Sequence, residues 1–242
     1  MFLQGRQPLV LPKLPKPAHS SRSRFGFGYS PSSDEYQVFR CNETNEGHNM
    51  SIEVCTLGRD DTWRRIGGGH DRKPFRRSST SLGIDFVFVN GALYGLGEDM
   101  ASRLSLCYFD MDNEELGSTL PLPCDNEGLL HLGVLDNFLF LSSARWLRSD
   151  FNVWVMRDYI ATGVWTLKWV VKLPDSLGLI IRPAQPIKFL KDGTVLMISS
   201  NNKVLAHNPQ TGLTEIIKYH KVAFWTETIA HTPSFLCPPW LL

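Results

Sequence analysis

Two basic segments carry the residue types best suited to holding an anion. Gly67-Gly68-Gly69-His70-Asp71-Arg72-Lys73-Pro74-Phe75-Arg76-Arg77 places four cations and one aromatic ring on a stretch opened by three glycines. Arg72, Lys73, Arg76 and Arg77 could clamp an acidic or phosphorylated segment, because guanidinium forks match carboxylate and phosphate oxygens, and Phe75 adds an apolar contact. Ala144-Arg145-Trp146-Leu147-Arg148 offers a second anchor, since Trp and Arg dominate binding hot spots. Trp146 and Arg148 are the candidates there. The competing readings are a solvated loop for the first segment and a Trp folded back over the protein for the second. The glycines lack the Lys-Ser/Thr of a phosphate-binding loop and open no helical pattern, so a nucleotide site is not expected.

Chemistry of other kinds finds less support. His48, His70 and His131 fall on or near connecting segments, and Cys41 and Cys55 flank His48 as Cys-x6-His-x6-Cys, a spacing that fits no metal site. No metal or cofactor is expected. The five cysteines, Cys41, Cys55, Cys107, Cys124 and Cys237, are scattered without a Cys-x-x-Cys pair, which suits reduced thiols. Asn42-Glu43-Thr44 and Asn49-Met50-Ser51 match the glycosylation sequon, taken as chance. The acidic run from Asp110 to Glu115 reads as a solvated hairpin turn. With 25 basic and 24 acidic residues the charge balance argues for neither nucleic acid nor membrane. No apolar run reaches a membrane span, and the start lacks a secretory core, so the expected location is intracellular, in cytoplasm and/or nucleus.

The elements that must position these residues are paired strands. Phe86 to Tyr94, Leu132 to Phe140 and Ile187 to Leu196 each read as apolar strand, two-residue turn, apolar strand, turning at Asn90-Gly91, Asp136-Asn137 and Asp192-Gly193. A second, more polar series turns near Asp60, Asp112, Ala161 and Pro209, at intervals of 52, 49 and 48 residues. Two hairpins, hence four strands, every ~40–50 residues is the unit of a β-propeller, because one blade cannot bury both faces without neighbours. The predicted fold class is all-β, a propeller-like array of four-stranded blades. Trp63, Trp154, Trp165 and Trp169 sit inside strand patterns and are assigned to packing between blades.

Phe25-Gly26-Phe27-Gly28-Tyr29, followed by Asp34-Glu35-Tyr36-Gln37-Val38, resembles a signature of the plant F-box associated domain. Trp63-Arg64-Arg65-Ile66, Val89-Asn90-Gly91-Ala92-Leu93, Tyr108-Phe109-Asp110-Met111, Pro121-Leu122-Pro123, Val153 to Tyr159 leading to Trp165, and Phe189 to Gly193 follow in that family's order. The resemblance covers residues 23–235, leaving 1–22 as a Pro/Lys-rich segment and 236–242 as a tail. It implies a propeller-like, non-catalytic module that binds a target protein within receptor subunits of cullin-based ubiquitin ligases. Met1 to Ser20 shows no helical periodicity, so contact with the Skp-type adaptor and cullin is expected only where a longer form supplies an F-box. The chain would then bind targets without recruiting a ligase. The family's hairpin ahead of the FGFGY strand survives only as a possible strand around Leu9 to Pro12, making the array incomplete at the N-terminus, with room for four full blades.

Antiparallel pairing sends all hairpin turns to one face and all connectors to the other. Connectors such as Cys41–Met50, 67–83, Pro121–Leu130 and Ser142–Asp150 are longer and more varied, which favours that face for a partner. A propeller hydrolase is the weaker alternative. Glu98, Asp99, Asp125, Glu127 and Asp150 are available on connectors, but no spacing pairs them, so no catalytic residue is assigned.

Overall fold

Positive backbone φ angles at paired positions mark where this chain reverses. Asn90 and Gly91 adopt φ of 49° and 78°, and Asp136 and Asn137 adopt 48° and 62°. Each pair forms the primed two-residue turn whose twist matches the flanking strands. The ladders close directly on them, at Val89↔Ala92 and Leu135↔Phe138. The third expected turn differs. Its ladder ends at Phe189↔Val195, and the Leu190 carbonyl accepts from Gly193 N at 3.0 Å, so Lys191, Asp192 and Gly193 form a three-residue loop. Gly193 takes the left-handed position (φ 84°), and the Asp192 carboxylate accepts the Thr194 N–H at 2.9 Å, a local bond that favours the longer turn.

The computed structural model describes residues 11–14, 22–43, 50–66, 86–98, 103–117, 119–124, 128–145, 148–156, 163–174, 184–199 and 203–217, in which every regular element is a strand. Strands β1 (Arg22–Ser30), β2 (Glu35–Glu43), β3 (Met50–Thr56) and β4 (Arg64–Ile66) form the first antiparallel sheet in chain order. In the second, β5 (Val87–Val89), β6 (Ala92–Glu98) and β7 (Leu104–Asp110) precede a fourth strand split into β8 (Glu115–Leu116) and β9 (Leu120–Pro121), both paired with β7. The third holds β10 (Leu129–Leu135), β11 (Phe138–Ala144), β12 (Asp150–Met156) and β13 (Trp165–Lys172). The fourth holds β14 (Gln185–Phe189), β15 (Val195–Ile198), β16 (Val204–His207) and β17 (Thr214–Ile217). Four up-and-down sheets joined in sequence are the blades that the hairpin spacing predicts.

The core lies between blades. Phe39, Val54, Leu93 and Phe109 join the first blade to the second. Tyr94, Leu106, Leu139 and Met156 join the second to the third, and Phe151, Trp169, Val195 and Leu205 the third to the fourth. Strand period explains β1: Gly26 and Gly28 face the second blade, where a Cβ on Gly26 would lie 2.9 Å from Leu93 Cδ1 and one on Gly28 2.8 Å from Phe88 Cδ2. The glycines let two sheets approach. Phe25 and Phe27, on the other face, remain 44% and 55% exposed, with Phe27 stacked on Tyr36 at 5.6 Å.

The tryptophans follow two patterns. Trp169 is buried between the third and fourth blades, and Trp154 and Trp165 pack against the cluster of the second and third, as expected. Trp63 does not join an interblade cluster. It lies on the far side of the first blade, edge-on to Phe25 at 6.4 Å, and its indole N–H donates to the Pro12 carbonyl at 3.1 Å. Residues 11–14, where a further strand was expected to end, carry no strand pairing. That segment is held by an indole bond instead of a ladder.

Candidate functional site

On the turn face, the acidic run at 110–115 is not simply solvated. Asp110 closes its own turn by accepting the Asp112 and Asn113 N–H groups at 2.9 and 3.0 Å. Asp112 then reaches the first blade, accepting from Ser30 Oγ at 2.6 Å and Ser32 N at 3.1 Å. Glu114 accepts a fork from Arg64, at 2.8 Å to Nη1 and 2.6 Å to Nη2. Arg64 Nε also donates to Asp60 at 2.9 Å. Burial works against the Asp60 charge, but the Thr56 N–H and the Arg64 guanidinium outweigh it and hold the carboxyl down at about 2. The Glu114 bond above all, opposed by burial and helped by Asp60, pushes Arg64 up. These charges fasten the first blade to the second. The sequence could not pair Arg64 with Glu114 because they stand 50 residues apart on different blades.

The connector face is open between the second and third blades. A cleft of about 350 Å³ is lined by Pro123 and Cys124 from the β9–β10 connector and by Ser143, Asn152 and Trp154 from β11 and β12. Arg145 and Arg148 stand on the short β11–β12 connector at its edge, and Asp150 opens β12. That connector is shorter than expected because pairing extends to Ala144↔Phe151. Strand alternation puts Ser143, Asn152 and Trp154 on the side toward the second blade, which makes the cleft an interblade groove. Arg148 grips Asp150 through Nε at 2.8 Å and Nη2 at 3.3 Å, holding the Asp150 carboxyl below the usual carboxylate range. Arg145 makes no ion pair among the described residues. The arrangement offers a mixed wall, apolar at Pro123 and the Trp154 ring, cationic at its mouth.

Of the sequence-derived candidates, Arg148 lies at this cleft, whereas Arg72, Lys73, Phe75, Arg76, Arg77 and Trp146 lie outside the described residues. Arg145 stood in the expected anchor segment without being singled out and Asn152 was missed; their shared position on one blade end brings them together. His131 is not on a connector: it is buried in β10, 5.9 Å from the Phe140 ring. Cys41 and Cys55 are buried cysteines in β2 and β3. Among the described residues, no cluster of His, Cys, Asp and Glu is arranged to hold a metal, and no helix is long and apolar enough to cross a membrane. Of the carboxylates expected on connectors, Asp99, Asp125 and Glu127 lie outside the described residues, whereas Glu98 closes β6 and Asp150 opens β12, where Arg148 engages it.

Comparison with known proteins adds kinship to this geometry. The profile of the F-box associated beta propeller domain matches residues 12–204. The F-box protein CPR1 of Arabidopsis thaliana is 24% identical over 208 residues, covering 75% of this chain and 48% of that protein. An F-box/kelch-repeat protein of the same plant is 24% identical over 193 residues, covering 78% of this chain and 49% of that protein. The chain thus spans about half the length of these curated relatives. Among solved structures, dipeptidyl peptidase 4 of Porphyromonas gingivalis aligns with 80% of this chain and 39% of its own at 11% identity and a TM-score of 0.45. At that distance the likeness carries no argument about function.

Proposed function

The chain belongs to the F-box associated β-propeller domain family, and from that premise we propose that it is a non-catalytic protein-recognition module of the kind used by receptor subunits of cullin-based ubiquitin ligases. The target protein sits on the connector face, and ubiquitin transfer is the work of partners. A Skp-type adaptor and cullin join only through F-box helices in the same polypeptide. The same reading puts the protein inside the cell, in cytoplasm and/or nucleus, where such ligases act. The observation that carries it is the family match over residues 12–204, with the open groove between the second and third blades giving the connector face a place for a partner side chain.

Photo-crosslinking of the full chain in plant extract, followed by peptide sequencing, tests this reading. Crosslinks to retained proteins are expected on connector residues such as 122–124 and 145–149. Crosslinks gathered on the turns at 31–34, 90–91 and 136–137 would overturn the choice of face. Retention no greater than that of an unrelated propeller would overturn recognition itself.

A further inference from the structure

The cleft between the second and third blades has a charge imbalance with a direction. Among the described residues that line it, two guanidinium groups, Arg145 and Arg148, stand with one carboxylate, Asp150, an excess of one positive charge. Lys172, opposite Asp150 in the β12–β13 ladder, adds a further cation on the same blade end. Asp150 takes Nε and one Nη of Arg148, so the fork is fixed in orientation while Nη1 keeps its donors. Arg145 has every donor free of ionic partners among the described residues. Beside the polar Ser143 and Asn152, Pro123 and Trp154 give the wall an apolar part that suits an aliphatic stem more than a second charge.

Resting on the recognition role proposed above, we propose that this cleft seats an acidic side chain of the partner polypeptide, its oxyanion held between Arg145 and Arg148 and its stem against Pro123 and Trp154. The volume of about 350 Å³ admits one such side chain with part of its backbone, not a folded element. Asp150 acts as an internal competitor. It occupies Arg148 until a carboxylate or phosphate arrives, and so sets how tightly the site binds.

The test uses the full chain and three labelled decapeptide pools with randomised flanks, centred on glutamate, phosphoserine or glutamine, read by fluorescence polarisation. At least one anionic pool is expected to bind ten-fold or more tighter than the glutamine pool, and whichever leads identifies carboxylate or phosphate as the preferred source. Binding should weaken as salt rises, because the mouth is open to solvent. Arg145→Gln, which leaves the Arg148–Asp150 pair intact, should lose most of the preference. Asp150→Asn should tighten anionic binding several-fold by freeing Arg148, whereas a merely structural role for Asp150 would weaken it. Equal binding of the three pools, or retention of the preference in Arg145→Gln, overturns the proposal. Circular dichroism of each variant confirms the fold. Loss of the pool preference with connector-face crosslinks intact would remove this cleft and leave the recognition role standing.

Discussion

Asp60 is the described residue whose carboxyl the fold holds at about 2, against an ordinary 3.8. A depressed carboxylate stabilises the folded state fully above its unfolded pKa, and that stability drains as pH falls through the folded value. The window here runs from about pH 4 down to about pH 2. At pH 7, Asp60→Asn should cost about 1–2 kcal/mol in urea denaturation, after allowance for water near the partly exposed Arg64. The gap should narrow steadily below about pH 4 and be mostly gone by about pH 2, where half of the wild-type carboxyl is protonated. An equal gap at both pH values would mean that the charge is idle. At Gly91 the argument is conformational. Its φ of 78° strains any β-branched side chain although a Cβ would find Pro31 Cδ at a comfortable 3.6 Å. Gly91→Val should therefore lower stability by about 1 kcal/mol or more, and an unchanged melting temperature would count against the turn assignment. This turn was legible in the sequence because Asn-Gly encodes it locally. The Arg64–Glu114 fork was not, because nothing near either residue names its partner.

At the scale of strands, continuous apolar runs around short turns made the hairpins readable: Phe86, Val87 and Val89 are all buried, as a segment between two sheets requires. The Phe-Gly-Phe-Gly-Tyr run gains a physical meaning, with small residues toward the next blade and rings away from it. Gly26→Val should therefore push Leu93 and Phe86 aside and cost about 1–3 kcal/mol, whereas Phe27→Ser, on the exposed face, should cost less than half as much. Chemical denaturation of both variants checks this, and equal losses would reverse the assignment of faces. The split of the fourth strand into β8 and β9 was not legible. Gly117 N donates to the Tyr108 carbonyl at 3.0 Å, and a Cβ there would fall 1.8 Å from Tyr108 Cζ, so the chain closes over a ring that only the folded sheet brings near. The connector cleft escaped the sequence for the same reason. Arg148 was singled out by residue type, but Cys124 joins Arg145 and Asn152 only when two blades meet.

The described residues form four sheets whose three apolar clusters each join adjacent blades, and among these residues no cluster joins the first blade to the fourth. Stability is then close to a sum of intrinsic blade energies and nearest-neighbour couplings, as in a one-dimensional Ising chain. Among the described residues, inner blades are held by two apolar couplings and the first and fourth by one. Amide hydrogen exchange should accordingly be slower in β10 and β11 than in β16 and β17, and Leu205→Ala, at a fully buried site, should speed exchange in β14–β17 far more than in β1–β4. Uniform acceleration would show a single cooperative unit instead. The acidic turn at 110–115 gives one end of the row a second kind of coupling, since Asp112 and Glu114 add charge to the apolar contact between the first two blades. Polar coupling weakens with acid while apolar coupling does not. Acidification should therefore fray the chain from its N-terminal blade, leaving the C-terminal half of the row as the last unit to melt.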